Sequence, residues 1–268
     1  MSIADRYTAA QAIARKAGRV AHDYFVRRDT LAVEAKGAQD LVSHADRAVE
    51  ALVCAEIQRE FPGDAFLGEE SAAGFAGADR NLWVVDPIDG THNFLRGARY
   101  YCVSIAYVED GRREIGVVCD PEHDEVFHAQ RGHGAWCSRG GAEERIRASD
   151  CNALSRAFVC LGHHDRRPDL RYIAIRRKMM ESGVAMRNMG AGALQLAHVA
   201  AGRYDGFVEL SLNAWDALAG LLLVEEAGGF CAPFPGEKGL GVPAPVLACA
   251  PGIAAALTAM VGAWPARE

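Results

Sequence analysis

One short segment, Leu82 to Phe94, holds the residues with the clearest chemical potential. Its first four residues, Leu82 to Val85, are apolar and predict a buried strand. The strand is expected to end on an acid, Asp86, because Pro87 cannot donate to a sheet ladder and should turn the chain. A second acid, Asp89, lies within the expected turn.

Gly90 and Thr91 follow this turn and offer backbone N–H groups at a point where a helix could begin. Two carboxylates beside such groups could bind Mg²⁺ together with a phosphate, since carboxylate oxygens suit the ion and amides suit the anion. Asp, Pro and Gly are also ordinary residues of solvated turns, so the segment alone leaves that alternative open.

Two further acidic elements could complete the same site. Glu69 and Glu70 follow the apolar run Ala65 to Leu67 and Gly68. Asp216 opens the helical stretch Ala217 to Glu226, where an acid is often only a helix cap. Glu70 is the less certain member of its pair, with an outer-shell or surface position expected for it.

Together these elements resemble the inositol monophosphatase family of Mg²⁺-dependent, lithium-sensitive phosphatases. The matching residues are Gly68-Glu69-Glu70, Asp86 to Phe94 and Trp215 to Gly220, with Lys36, Asp40 to Ser43 and Asp46 upstream. The resemblance covers nearly the whole chain. It implies an α/β (α+β) fold, a layered αβαβα sandwich with the active site between two halves.

The resemblance also implies the metal ligands. Glu69, Asp86 and the backbone carbonyl of Ile88 would bind the first ion, and Asp86, Asp89 and Asp216 the second. A third, weaker ion would depend on Glu69. The implied cofactor is therefore two to three Mg²⁺ ions, with Mn²⁺ as a substitute and Li⁺ as an inhibitor.

Thr91 has two implied roles. Its N–H and that of Gly90 would hold a phosphate oxygen, while its hydroxyl would orient the attacking water and relay a proton toward Asp46. Ser43 and Asp46 also satisfy the pattern of a capping box, and both roles could hold together. Glu69 joins Thr91 and Asp46 as an implied catalytic residue.

Substrate contacts are implied for Asp89, Gly190, Ala191 and Glu209. Glu209 would accept hydrogen bonds from hydroxyl groups of an inositol ring. Ala191 stands where the family usually has Ser or Thr, which removes a side-chain donor and puts inositol specificity in question. Lys36 lies in the implied lid loop.

We therefore expect hydrolysis of a small phosphomonoester, first of all inositol 1-phosphate. The alternatives within the same fold are histidinol phosphate, fructose 1,6-bisphosphate and a 3′-phosphoadenosine nucleotide. A haloacid-dehalogenase-type phosphatase needs Asp-x-Asp, whereas Asp86 and Asp89 are separated by two residues. A non-catalytic regulatory or binding role on the same scaffold is the alternative of another class.

Composition sets the broader expectations. The 268 residues are ample for a core, and the net charge of −6 gives no basic stripe for nucleic acid. No signal segment or long apolar run is visible, so neither a membrane nor export is expected. Eight cysteines without a C-x-x-C pair suit a reduced, cytoplasmic protein. The resemblance, in turn, implies a homodimer acting on a small-molecule phosphate ester.

The pattern of hairpins first and alternating strands and helices later divides the chain into two halves. Residues 1–150 form an α+β half and residues 151–268 an α/β half. The resemblance places most metal ligands in the first half, and Asp216 and the substrate-selecting residues in the second. A hairpin is expected around Asp110-Gly111. Helices are predicted near 3–28, 43–60, 167–182, 194–201, 216–227 and 253–261, and strands near 82–85, 101–109, 114–119, 126–129, 135–137, 157–161, 185–187, 206–210 and 246–249.

Overall fold

The computed structural model describes residues 1–30, 33–37, 40–72, 81–163, 169–234 and 239–262, with the backbone alone for residues 30, 33–37 and 40–43. The helices are α1 (Ile3–Val26), α2 (His44–Glu60), α3 (Thr91–Arg96), α4 (Arg171–Glu181), α5 (Gly192–Ala200), α6 (Ala214–Glu226) and α7 (Ala254–Val261). The strands are β1 (Val33–Gly37), β2 (Asp40–Ser43), β3 (Ala65–Gly68), β4 (Asn81–Asp89), β5 (Cys102–Glu109), β6 (Arg112–Asp120), β7 (Glu125–Gln130), β8 (Ala135–Arg139), β9 (Ala142–Ile146), β10 (Phe158–Leu161), β11 (Ala185–Arg187), β12 (Gly206–Leu212), β13 (Phe230–Cys231) and β14 (Ala244–Cys249).

A seven-stranded sheet runs in the order β3-β4-β5-β6-β7-β8-β9. β3 and β4 are parallel, and the other neighbours are antiparallel. Successive side chains of β5 alternate between its two faces, as a strand requires: Ile105 and Tyr107 pack under α1 and α2, while Ala106 and Val108 face α5 and α6. The sheet is therefore covered by helices on both faces.

A five-stranded sheet runs in the order β11-β10-β12-β14-β13. β10 is parallel to both β11 and β12, whereas β14 is antiparallel to β12 and β13. Phe207 of β12 joins the core shared with α5 and α6, and Val208 joins the outer core with α4 and α7. The layers are thus α1/α2, seven strands, α5/α6, five strands and α4/α7, which confirms the αβαβα sandwich.

β4 corrects the expectation that the strand ends at Asp86. Asp86 pairs with Ser104 and Asp89 pairs with Cys102, so one extra residue is accommodated between them as a bulge. The bulge tolerates Pro87, whose missing N–H would otherwise leave a gap in the ladder. Ser104 and Cys102 lie two residues apart on β5, and the bulge therefore brings the two acids to one face of the sheet.

The remaining differences concern ends and short strands. α6 begins at Ala214 after the cap Asn213, two residues before the predicted start at Asp216. β9 and the two-residue strand β13 were not predicted, because their sequences carry little apolar alternation. The Asp110-Gly111 turn is confirmed, with positive φ at both residues. Among the described helices, none combines the length and apolar character needed to cross a membrane.

Candidate active site

Three carboxylates meet where the two sheets approach each other. Asp86 and Asp89 come from the bulged end of β4 and Asp216 from the first turn of α6. One oxygen of each lies within 4.8 Å of the others. Asp86 is 1% exposed and Asp89 6% exposed, so these charges are held away from solvent.

Burial and the charges of neighbouring carboxylates raise the pKa values of Asp86 and Asp89. For Asp86, burial is the largest cause, followed by the charges of Glu69, Asp216 and Asp89, and its pKa lies well above the ordinary value. Burial and the charge of Asp216 raise the pKa of Asp89 to about 7. Four acids that repel one another are favourable together only when a cation or protons compensate them.

The donor set fits a hard divalent cation. All groups of the cluster are carboxylate oxygens, the ligand type that Mg²⁺ prefers. The largest causes that raise the pKa values of Asp86 and Asp89 are burial and the charges of neighbouring carboxylates, a surrounding that a bound cation would relieve. Asp86, Asp89 and Asp216 could therefore hold such an ion.

Asp89 has a second task that the sequence did not reveal. Its carboxylate accepts the N–H groups of Gly192 at 3.1 Å, Ala193 at 2.7 Å and Leu194 at 3.4 Å. The cap residue of α5, Ala191, provides no side-chain acceptor, so Asp89 satisfies the first turn of this helix from 103 to 105 residues away. The cap position of α5 is not Ser, Thr, Asp or Asn, and this was the sequence signal that a distant side chain caps the helix.

Cys102 also contacts Asp89, with its Sγ 3.5 Å from Oδ2. The sequence suggested only a small buried apolar residue. The register between β4 and β5 brings the thiol beside the acid, and sequence reasoning had no means to anticipate this register.

Asp216 combines capping with membership of the acid cluster. Its Oδ2 accepts hydrogen bonds from the backbone N–H and the side-chain amide of Asn213, each at 3.2 Å. An acid does lie in the first turn of this helix, as predicted. It is not the cap residue, however, because Asn213 is the cap and Asp216 occupies the third helical position.

Thr91 lies between two of the predicted partners. Its hydroxyl is 3.1 Å from the Ile88 carbonyl oxygen and 3.4 Å from Asp46 Oδ1. Asp46 is 1% exposed on the inner face of α2, so the helix presents a carboxylate to the start of α3. The structure therefore brings Thr91, Ile88 and Asp46 together.

Glu50 is a further buried acid that the sequence analysis did not single out. It lies one turn after Asp46 on α2, and its Oε2 accepts the backbone N–H of Glu70 at 2.8 Å. Its carboxylate fills the space beside Gly68, where a β-carbon would lie 2.9 Å from Oε1 and closer still to the other oxygen. The signal was two acids four residues apart on the apolar face of a helix.

Gly90 marks the seam between the two sheets. It has a φ of 94°, and a β-carbon there would lie 3.1 Å from the Ala191 β-carbon and 3.3 Å from the Gly190 carbonyl oxygen. Asn93 bridges the same seam, because its amide donates to the carbonyls of Tyr100 at 2.8 Å and Met189 at 2.7 Å. The predicted substrate residues Gly190 and Ala191 thus lie beside the predicted phosphate loop.

Three further predicted residues lie on or beside the strands β12, β1 and β4. Glu209 lies on β12 with its carboxylate against Gly162. Lys36 lies on β1, and only its backbone is among the described residues. The backbone N–H of Glu69 donates to the Val85 carbonyl at 3.1 Å, which fixes Glu69 beside β4.

Asp120, Glu125 and His198 form another group with ligand atoms close together. Glu125 already accepts hydrogen bonds from Arg139 and Arg203, and Asp120 accepts the side chain of His123 at 2.8 Å. Because Glu125 is paired with two arginines and Asp120 is hydrogen-bonded to His123, this group is a buried network of side-chain contacts within the protein.

Comparison with known proteins agrees with this geometry. Residues 3–262 match the model of the inositol monophosphatase family. The chain is 40% identical over 233 residues to Nus factor SuhB of Pseudomonas aeruginosa, covering 84% of this chain and 83% of that protein. It is 39% identical over 227 residues to inositol-1-monophosphatase of Mesorhizobium japonicum, covering 84% of each.

A solved structure shares the same fold. The extragenic suppressor protein suhB from Bartonella henselae superposes with a TM-score of 0.84 at 34% identity, over 95% of this chain and 97% of that one. Family match, relatives and fold all agree, and the chain belongs to the inositol monophosphatase family of phosphomonoesterases.

Proposed function

We propose that this protein is a Mg²⁺-dependent phosphatase of small polyol phosphates, with inositol 1-phosphate as the foremost substrate. The observation that carries the proposal is the convergence of Asp86, Asp89 and Asp216 beside the start of α3. In this mechanism water attacks phosphorus in line, and the configuration at phosphorus inverts.

In the proposed site Glu69, Asp86 and the Ile88 carbonyl would hold a first ion, and Asp86, Asp89 and Asp216 would hold a second. A third, weaker ion depends on Glu69, and Mn²⁺ is able to replace Mg²⁺. When bound, such ions lower the pKa of a coordinated water and neutralise charge on the phosphate.

Thr91 and Asp46 handle the proton in this proposal. The Thr91 hydroxyl orients the attacking water, and Asp46 accepts the proton through that hydroxyl. The 3.4 Å separation of Thr91 Oγ1 and Asp46 Oδ1 supports this pairing. The backbone amides of Gly90 and Thr91 hold a phosphate oxygen, because their N–H groups precede the first turn of α3.

The two predicted halves supply different parts of the site. Residues 1–150 contribute most of the metal ligands and Lys36 of the lid loop, and residues 151–268 contribute Asp216 and substrate contacts from Gly190, Ala191 and Glu209. Asp89 adds a contact from the first half. The closeness of Gly90 to Gly190 and Ala191 supports a substrate bound across this seam.

A phosphate-release screen with Mg²⁺ tests the proposal. Inositol 1-phosphate is compared with histidinol phosphate, fructose 1,6-bisphosphate and a 3′-phosphoadenosine nucleotide. We expect the highest kcat/KM for the inositol ester, with no aspartyl-phosphate formed during turnover. A clear preference for another ester would reassign the substrate, and a covalent phosphoenzyme would contradict direct attack by water.

A purely non-catalytic role is the alternative of another class, and several relatives are named Nus factor SuhB. The acid cluster and the Thr91–Asp46 pair favour catalysis, because a binding scaffold has no need for buried acids that repel one another. We further propose a cytoplasmic homodimer, which the native mass in solution would test.

A further inference from the structure

Gly162 and Glu209 form a close pair at the end of β10. The Gly162 N–H donates to the Val208 carbonyl at 2.8 Å, which places Gly162 next to Glu209 on β12. A β-carbon on Gly162 would lie 2.7 Å from Glu209 Cδ and 3.1 Å from Cγ, with Oε2 closer still. The Glu209 carboxylate therefore fills the volume that a β-carbon would take at position 162.

The pair lies near the carboxyl ends of the parallel strands in the five-stranded sheet. β10, β11 and β12 run parallel, so their carboxyl ends share one edge. Gly162 follows β10, Gly190 follows β11, and Asp216 follows β12. Ligands of such sheets bind beyond the carboxyl ends of the strands. Glu209 is therefore held on the side of the sheet from which Gly190 and Asp216 emerge.

We propose that Gly162 is a specificity-determining residue for polyol substrates. By leaving space for the Glu209 carboxylate, it lets this group accept hydrogen bonds from substrate hydroxyls. The inference rests on the proposed function and adds the residue that leaves room for the Glu209 carboxylate. A carboxylate suits this task because both of its oxygens accept hydrogen bonds from hydroxyl groups.

A substitution at Gly162 can move the Glu209 carboxylate without disturbing the fold. Gly162 is not among the glycines with positive φ, so alanine imposes no backbone strain. The clash would fall on the end of a flexible side chain, which can rotate away. Gly162→Ala should therefore displace the carboxylate while the fold persists.

The effect is measured by comparing kcat/KM for two esters. Inositol 1-phosphate carries hydroxyl groups on its leaving group, and 4-nitrophenyl phosphate carries none. In Gly162→Ala we expect the ratio of kcat/KM for the inositol ester to that for the aryl ester to fall about ten- to a hundredfold, as for loss of a hydrogen bond to a charged group. Glu209→Gln should lower the same ratio, and the double variant should lower it no further.

Gly63→Ala is the matched control, because a β-carbon at this remote turn meets nothing within 4 Å. It should keep the wild-type ratio and melting temperature. An unchanged ratio in Gly162→Ala, or an equal loss for both esters, overturns the role of Gly162 and leaves the phosphatase proposal standing. A wild-type enzyme that hydrolyses only the aryl ester contradicts both the polyol class and this inference, and one that hydrolyses neither contradicts the proposed function itself.

Discussion

Asp89 is the residue where charge, capping and the proposed metal chemistry meet. It shares the acid cluster with Asp86 and Asp216 and also accepts three N–H groups from the start of α5. The hydrogen bonds lower its pKa, but burial and the charge of Asp216 outweigh them. The residue therefore links any cation in the cluster to the position of α5.

Removing one negative charge from the proposed second ion site should abolish most turnover. We expect Asp89→Asn and Asp216→Asn to lower kcat by about a thousandfold or more, because several kcal/mol of charge stabilisation are lost in the transition state. Asp23→Asn, at an exposed position on α1, is the control and should behave as wild type. Phosphate release and thermal unfolding are measured for each; near-normal kcat in both site variants would remove these acids from the mechanism.

The raised pKa values make the metal-free protein sensitive to pH. In the folded state the pKa of Asp89 is about 7, against an ordinary value of 3.8, and that of Asp86 is raised in the same direction. Between these values the folded state binds more protons than the unfolded state, so stability falls as pH rises toward and through 7.

Melting temperatures in EDTA should therefore decrease from pH 5 to pH 8, and Mg²⁺ should reverse the loss at the upper end. Asp89→Asn should make the EDTA profile less steep, because one of the two titrating acids is gone. A melting temperature in EDTA that rises with pH over this range would show that the cluster does not carry the expected repulsion.

At the scale of elements, Asn93 joins α3 to the segment that precedes α5. Its amide satisfies the carbonyls of Tyr100 and Met189, while the N–H of Met189 donates to the Gln195 side chain at 3.0 Å. The segment before α5 is thus held by Asn93 and Gln195, in addition to the cap that Asp89 provides to the helix.

Asn93→Asp should loosen this seam, because a carboxylate cannot donate to two carbonyls. We expect a loss of about 2–4 kcal/mol in the free energy of unfolding, for two groups left without their donor. Hydrogen exchange at Gly192 to Leu194 should quicken as well. Ser149→Ala, which removes a side-chain hydrogen bond to Asp205, should destabilise the fold without quicker exchange at these amides. Equal exchange in the two variants would contradict the role of Asn93.

The limits of sequence reasoning are also clearest at this scale. Most helices and central strands followed from apolar periodicity, and the fold followed from the long motif around Asp86. The bulge at Pro87 did not follow, because it depends on the pairing of β4 with β5. The cap that Asp89 provides to α5 depends on packing between the sheets. Both are tertiary contacts with no local pattern.

At the scale of the whole molecule, the site lies at a junction of layers. β4 and α3 bring Asp86, Asp89 and Thr91 from the seven-stranded sheet, and α5 and α6 bring Ala191 and Asp216 from the middle layer. An ion held by Asp86 and Asp216 would contact both halves of the chain. Ligand binding should therefore stabilise the molecule as a whole.

Inhibition by lithium tests whether phosphate leaves the proposed site after the second ion. Li⁺ carries half the charge of Mg²⁺ and favours the same oxygen ligands, so it could replace the second ion after bond cleavage and retain phosphate. Initial rates across Li⁺ should then show inhibition that is uncompetitive with respect to substrate. Purely competitive inhibition, or none with Mg²⁺ activity intact, would require a different model of product release.

The central claim is that the buried acid cluster performs Mg²⁺-dependent hydrolysis of a phosphomonoester. The most direct measurement is the rate of phosphate release from inositol 1-phosphate as Mg²⁺ is titrated into EDTA-treated protein. We predict no turnover in EDTA, a saturable rise with Mg²⁺ and a comparable curve with Mn²⁺. Full turnover in EDTA, or none at any Mg²⁺ concentration, would contradict the claim.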